Sequence, residues 1–168
     1  KGAADATAAT VFAQNRQELI LAAALGERPG RAVDPGFRTG CKVVCLDRHG
    51  ELLHHEAIYP LDPHNKRVEA ARRIRAMIAD YGSAVIAVGN GTGGREAAAF
   101  LKETLAAGSS ERADGVSVIT VNEAGASVYS ASPAARAEFP DQDLTVRGAV
   151  SIGRRLMDPL AELVKIDP

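Results

Sequence analysis

The chain has almost no net charge to offer a polyanion: 20 Lys and Arg against 21 Asp and Glu leave −1 over 168 residues. Nothing in that balance favours nucleic acid, so any contact with it must come from Arg and Lys gathered locally. Cysteine is scarce as well. Cys41 and Cys45 fall on one expected strand, where a rise of ~3.3 Å per residue puts their Cα atoms about 13 Å apart. That is beyond disulfide reach, so buried free thiols on one face and a reducing cytoplasm are expected. His49, His54, His55 and His64 lack the Cys/His spacing of a zinc site and read as surface and loop residues. No apolar run approaches the ~20 residues of a membrane span, and no membrane partner is expected. Lys1–Thr10 holds no apolar core of a signal peptide. An initial Met is missing too, as in a piece of a longer protein. There is no internal repeat, and no low-complexity block beyond the Ala-rich start.

What is present is enough for one domain with a sizeable core. Val11–Leu25 is rich in helix formers and stops at Gly26, so residues 1–27 read as a helical extension and linker. Arg31–Asp34, Cys41–Asp47 and Glu51–Tyr59 read as three strands joined by tight turns at Asp34-Pro35-Gly36 and Arg48-His49-Gly50, an antiparallel meander. Lys66–Tyr81 reads as an amphipathic helix. Its apolar stripe is Ala71, Ile74, Met77, Ile78 and Tyr81, with Arg67, Arg72, Arg73 and Arg75 mainly off it. Ala84–Val88 is a continuous apolar run of the kind that suits a central strand covered on both faces. A helix over Arg95–Ala107, a strand over Val116–Val121, a helix near Ala124–Ser130 and a last helix over Asp143–Leu156 follow. The fold class is therefore α/β. Its mixed sheet is antiparallel at one end, built by parallel crossovers at the other, and flanked by helices.

Four places carry residues suited to chemistry. Asp34 ends the first strand, where it can face a phosphate or metal or simply open the turn. Gly89-Asn90-Gly91-Thr92-Gly93-Gly94 follows the apolar strand. It is neither a Walker A motif nor the dinucleotide fingerprint. It can bring backbone N–H groups against a phosphate, or it can be a tight turn with Thr92 as helix N-cap. Glu123 ends the next strand. If that strand is parallel to the first, Asp34, the glycine loop and Glu123 share one edge, and the two carboxylates can hold Mg²⁺; alternatively Glu123 is an acid favoured by a helix dipole. Arg147, Arg154 and Arg155 on the last helix can pair with phosphates or form a solvated face. Gly148 and Gly153 on that helix each cost up to ~1 kcal/mol relative to Ala, which calls for a close approach of another backbone.

Four segments together are specific: Asp34-Pro35-Gly36-Phe37-Arg38-Thr39-Gly40-Cys41-Lys42, Gly89-Asn90-Gly91-Thr92, Val121-Asn122-Glu123-Ala124-Gly125-Ala126-Ser127, and Arg147 through Pro168. They resemble the YqgF-type, RNase H-like domains of bacterial transcription accessory proteins over essentially Val11–Pro168. The resemblance implies strand order 3-2-1-4-5 with strand 2 antiparallel, and a domain over 28–160. It also implies a connection to a following domain starting at 161–168, as in an excised middle domain. It further implies a cytoplasmic, nucleic-acid-associated protein that meets RNA or DNA, and the transcription machinery, through the full-length chain. Catalysis in this superfamily uses two metal ions held by several carboxylates. Asp34 matches the acid of the first strand. Glu123 stands in for the acid that Gly89-Asn90 lacks, and Asp141 or Asp143 is the candidate third. Arg38, Gly89, Asn90, Gly91, Thr92, Arg147, Arg154 and Arg155 are the expected phosphate or nucleic-acid contacts. Asp34 and Glu123 are expected to hold Mg²⁺ weakly, in a binding or scaffolding domain whose catalysis is degenerate. The alternatives are an active metal-dependent nuclease or junction resolvase, and a fragment of an actin-like ATPase or sugar kinase, whose Asp-x-Gly-x-Thr hairpin Asp34–Gly40 echoes.

Overall fold

Turn chemistry sets the first half of the sheet. In the computed structural model, which describes residues 29–82, 85–108, 115–123, 133–138, 140 and 144–157, β1 (Gly30–Asp34) ends at the Pro35-Gly36 turn. β2 (Cys41–Leu46) returns antiparallel, with Asp34 opposite Lys42 and Gly30 opposite Leu46. The next turn is locked by Asp47, whose Oδ1 accepts the N–H groups of His49 at 2.8 Å and Glu51 at 2.9 Å. β3 (Leu52–Ile58) then pairs with β2. α1 (Arg67–Tyr81) crosses to β4 (Val85–Gly89), and α2 (Gly94–Ala106) crosses to β5 (Ser117–Val121). Both later strands run parallel to β1 on its other side, giving the order β3-β2-β1-β4-β5. This is the RNase H-like order the resemblance implied. α3 (Pro133–Glu138) and α4 (Leu144–Met157) complete the described elements. The expected helices at Val11–Leu25 and Ala124–Ser130, and the segments 1–27 and 161–168, lie outside the described residues.

Alternation along the strands builds two cores. Val33, Cys41, Val43, Cys45, Ile86 and Val88 face α1 and α2, meeting Ile74, Met77, Phe100 and Leu101. Ala32, Val44, Leu46, Val85, Ala87 and Val121 face α4, meeting Val146, Ala149, Val150 and Ile152. Both cysteines are free, buried and on one face, as their even spacing requires. The stripe of α1 is buried at Ala70, Ile74, Met77 and Ile78. Ala70 is buried as well, Ala71 packs partly buried against the same cluster, and Tyr81 is left exposed enough to stack on His54 at 5.5 Å. Two arginines off the stripe are engaged locally: Arg73 donates to both Glu56 oxygens at 2.7 and 2.8 Å, and Arg67 pairs with Glu103 at 2.6 Å. Arg31 is fully buried in β1, and its guanidinium donates to the Met77 carbonyl at 2.7 Å, tying off the end of α1. Among the described residues no helix is long and apolar enough to cross a membrane.

Two expectations are corrected here. The cap of α2 is Gly93, not Thr92: residue 93 has φ 82°, and no side chain caps the helix. That left-handed backbone favours glycine. At Gly153 of α4 it is side chains rather than a backbone that come close. A Cβ at Gly153 would sit 2.7 Å from Leu46 Cδ1 and 3.0 Å from Ala32 Cβ, so the helix lies directly on β1 and β2 there. Gly153→Val is expected to destabilise the fold by about 2 kcal/mol despite the better helix former, because overpacking outweighs propensity. Urea unfolding measures it, and a variant at least as stable as wild type would show that the helix can lift without loss.

Candidate functional site

Because β1, β4 and β5 are parallel, Asp34, Gly89 and Val121 end at one edge of the sheet. Ala32 faces α4, so Asp34, two residues on, faces α4 as well. The helix passes over it at Gly148, where a Cβ would lie 3.6 Å from Asp34 Oδ2. Asp34 is pushed up to about 6 from its ordinary 3.8, first by burial, then by the Glu123 carboxylate, with Lys42 acting the other way. The structure thus brings Asp34 and Glu123 together at the carboxyl edge.

The glycine loop receives the Glu123 side chain. A Cβ at Gly91 would overlap Glu123 Oε1, and one at Gly89 would overlap Glu123 Oε2. These positions are open because the Glu123 side chain fills them. Asn90 completes the clamp: its N–H donates to the Val121 carbonyl at 3.0 Å, and its Oδ1 accepts the Glu123 N–H at 3.1 Å. The amide oxygen that stands where a resolvase carries an acid is therefore engaged with backbone. Glu123 Oε2 is buried with no hydrogen-bond partner among the described residues. An acceptor of that kind is costly unless a cation or proton meets it.

The other expected contacts are scattered. Arg38 and Thr92 are exposed on loops at this edge, and the Arg38 carbonyl meets His64 Nε2 at 2.9 Å. Arg147 is buried beside Gly148 on α4. Arg154 lies at the opposite end of the sheet, where its Nε donates to the Gly50 carbonyl at 2.9 Å and its guanidinium pairs with Glu138. Asp141, Asp143 and the Arg155 side chain lie outside the described residues. Among the described residues no group of three or more His, Cys, Asp and Glu is placed to hold a metal. Asp34 and Glu123 do offer the hard oxygen donors that one Mg²⁺ takes together with water or phosphate. Sequence reasoning missed Lys42. Its signal was the hairpin itself, since a turn of this length sets Lys42 directly across from Asp34.

The fold and this edge define an RNase H-like domain carrying a close acidic pair. Residues 31–157 match the family described as the Tex protein YqgF-like domain, and the chain belongs to that family. It is 47% identical over 167 residues to "Protein tex" of Bordetella pertussis, covering 98% of this chain and 20% of that protein. It is also 47% identical to "Transcriptional accessory protein Tex" of Neisseria gonorrhoeae, covering all of this chain and 21% of that one. A human relative, "S1 RNA-binding domain-containing protein 1", is 37% identical over 158 residues, 94% of this chain and 16% of the relative. The chain thus spans about a fifth of the length of the curated relatives it matches.

Proposed function

We propose that this domain is a nucleic-acid-associated module of a cytoplasmic transcription accessory protein, serving binding or scaffolding rather than strand cleavage. The names of its relatives, transcriptional accessory in one case and RNA-binding in another, support the nucleic-acid setting. The buried free thiols Cys41 and Cys45 support a reducing compartment. The observation that carries the non-catalytic reading is the clamp around Glu123. Two-metal hydrolysis needs ions ~3.5–4 Å apart, clamping the attacking and leaving oxygens. Here one carboxylate is walled in by Gly89 and Gly91, and the Asn90 amide is engaged by backbone. The donor set of Asp34 and Glu123 fits one ion, and the orphaned Glu123 Oε2 is the atom that would meet it. Such an ion, when bound, would supply positive charge toward a phosphate.

The test uses an RNA–DNA hybrid and a four-way junction, each with Mg²⁺ or Mn²⁺, for wild type and Asp34→Asn. The near-neutral domain is expected to bind both weakly, above about micromolar Kd at physiological salt, with binding lost as salt rises. No cleavage is expected from either protein. Metal-dependent cleavage by wild type that disappears in Asp34→Asn would replace this reading with that of an active nuclease.

A further inference from the structure

Lys42 is a cation that the hairpin register sets across from Asp34. It lies directly across the β1–β2 ladder from Asp34, and its partner on the other side is Ala57, which carries no charge. Val44 and Leu46, at even spacing from it, pack under α4, so Lys42 projects on the face that carries Asp34. The nearest acid of β3, Glu56, pairs with Val43 on the opposite face and is held by Arg73 and His54. Asp34 is therefore the carboxylate that stands directly across from Lys42 in its own ladder. Beside Asp34 sits Glu123, with a buried oxygen lacking any hydrogen-bond partner among the described residues. Burial and then Glu123 push the Asp34 carboxyl up, and Lys42 opposes that rise, in keeping with this placement.

We propose that Lys42 is the resident counter-cation of Asp34 and Glu123, and that it holds down the affinity of this edge for divalent metal ions. A lysine ammonium is a compact point charge on a flexible stem, able to approach either carboxylate. It offers the pair the positive charge a metal would otherwise supply, and it repels a metal that enters. The inference rests on the reading of this edge as a one-ion site.

The experiment is a Mn²⁺ titration followed by electron paramagnetic resonance, on wild type and on Lys42→Met, Lys42→Gln and Lys42→Arg. Removing one charge on the order of 8 Å from a divalent ion should tighten Mn²⁺ binding about fivefold or more, even at the dielectric of water. That gain is expected for Lys42→Met and Lys42→Gln, and wild-type affinity for Lys42→Arg. Arg48→Gln, in the turn at the far end of the sheet, removes the same charge and should change nothing. Asp34→Asn added to Lys42→Met should abolish the gain. A folded Lys42→Met or Lys42→Gln protein that binds Mn²⁺ no tighter than wild type overturns the proposal. So does an equal gain in Arg48→Gln, which would make the effect one of net charge alone. Tighter binding is a gain that misfolding does not produce. Cleavage by wild type would overturn the proposed function while leaving this comparison intact.

Discussion

Asp34→Asn is expected to make the domain more stable by about 2 kcal/mol at pH 7.5, and by almost nothing near pH 4. The Asp34 carboxyl is pushed up to about 6, by burial first and then by Glu123, against an ordinary 3.8. The folded state therefore holds this proton more tightly than the unfolded state does. Stability at this site is full below about pH 4, declines as pH rises to about 6, and is constant beyond. The whole span corresponds to about 3 kcal/mol, and water reaching a half-buried carboxyl reduces it to about 2. Asn keeps the shape, removes the repulsion and brings an N–H donor toward Glu123 Oε2, which lacks one among the described residues. Glu56 slopes the opposite way: Arg73 holds it below its usual range, so its contribution is lost as the medium becomes acid. Subtracting wild type from variant at each pH cancels that background, because the two groups lie on opposite faces of the sheet. Urea midpoints from pH 4 to 8 decide the matter. A variant no more stable at pH 7.5, or a difference that ignores pH, would mean that the pair is not repulsive.

The meander was legible because its turns are written in residues with fixed conformational habits. Asp34-Pro35-Gly36 and Asp47 through Gly50 can only turn, and the apolar runs between them have strand length. The carboxyl-edge placement of Asp34 and Glu123 followed from strand direction, which crossovers fix. What the sequence hid was anything depending on which side chain enters which gap. A glycine-rich loop after a strand reads as a phosphate site, yet Gly89 and Gly91 are open for the carboxylate of a residue more than thirty positions on. Gly153 announced a close approach, but not that Leu46 and Ala32 would make it, while a Cβ at Gly148 would meet Asp34 Oδ2 only at an ordinary contact distance. Helix phase does not say which end of the sheet Arg154 reaches; it reaches the Gly50 turn. Lys42 went unnoticed for the opposite reason. It is an ordinary strand residue until the register of one hairpin is known.

Gly91→Ala carries the other large effect: a loss of about 2 kcal/mol that all but disappears in a Glu123→Ala background. Taken alone, Gly to Ala at an unstrained backbone position stabilises a protein by about 0.4–1 kcal/mol through the unfolded state. The collision decides the sign. The new methyl would overlap Glu123 Oε1, so the carboxylate has to move. Its backbone cannot follow easily, since Asn90 holds the Glu123 N–H at 3.1 Å and the Val121 carbonyl at 3.0 Å. Gly89 bounds the other side, so the side chain must leave its rotamer or surrender its place beside Asp34. Swinging away would also relieve Asp34, whose carboxyl should then titrate below about 6, readable by carbon NMR. Without the Glu123 carboxylate the three atoms nearest to the methyl are gone, and the small favourable unfolded-state contribution is expected to dominate. A double-mutant cycle by urea unfolding measures the coupling directly. If Gly91→Ala costs as much with Ala at position 123 as with Glu, the loop is open for some partner other than Glu123, and the clamp at this edge is misassigned.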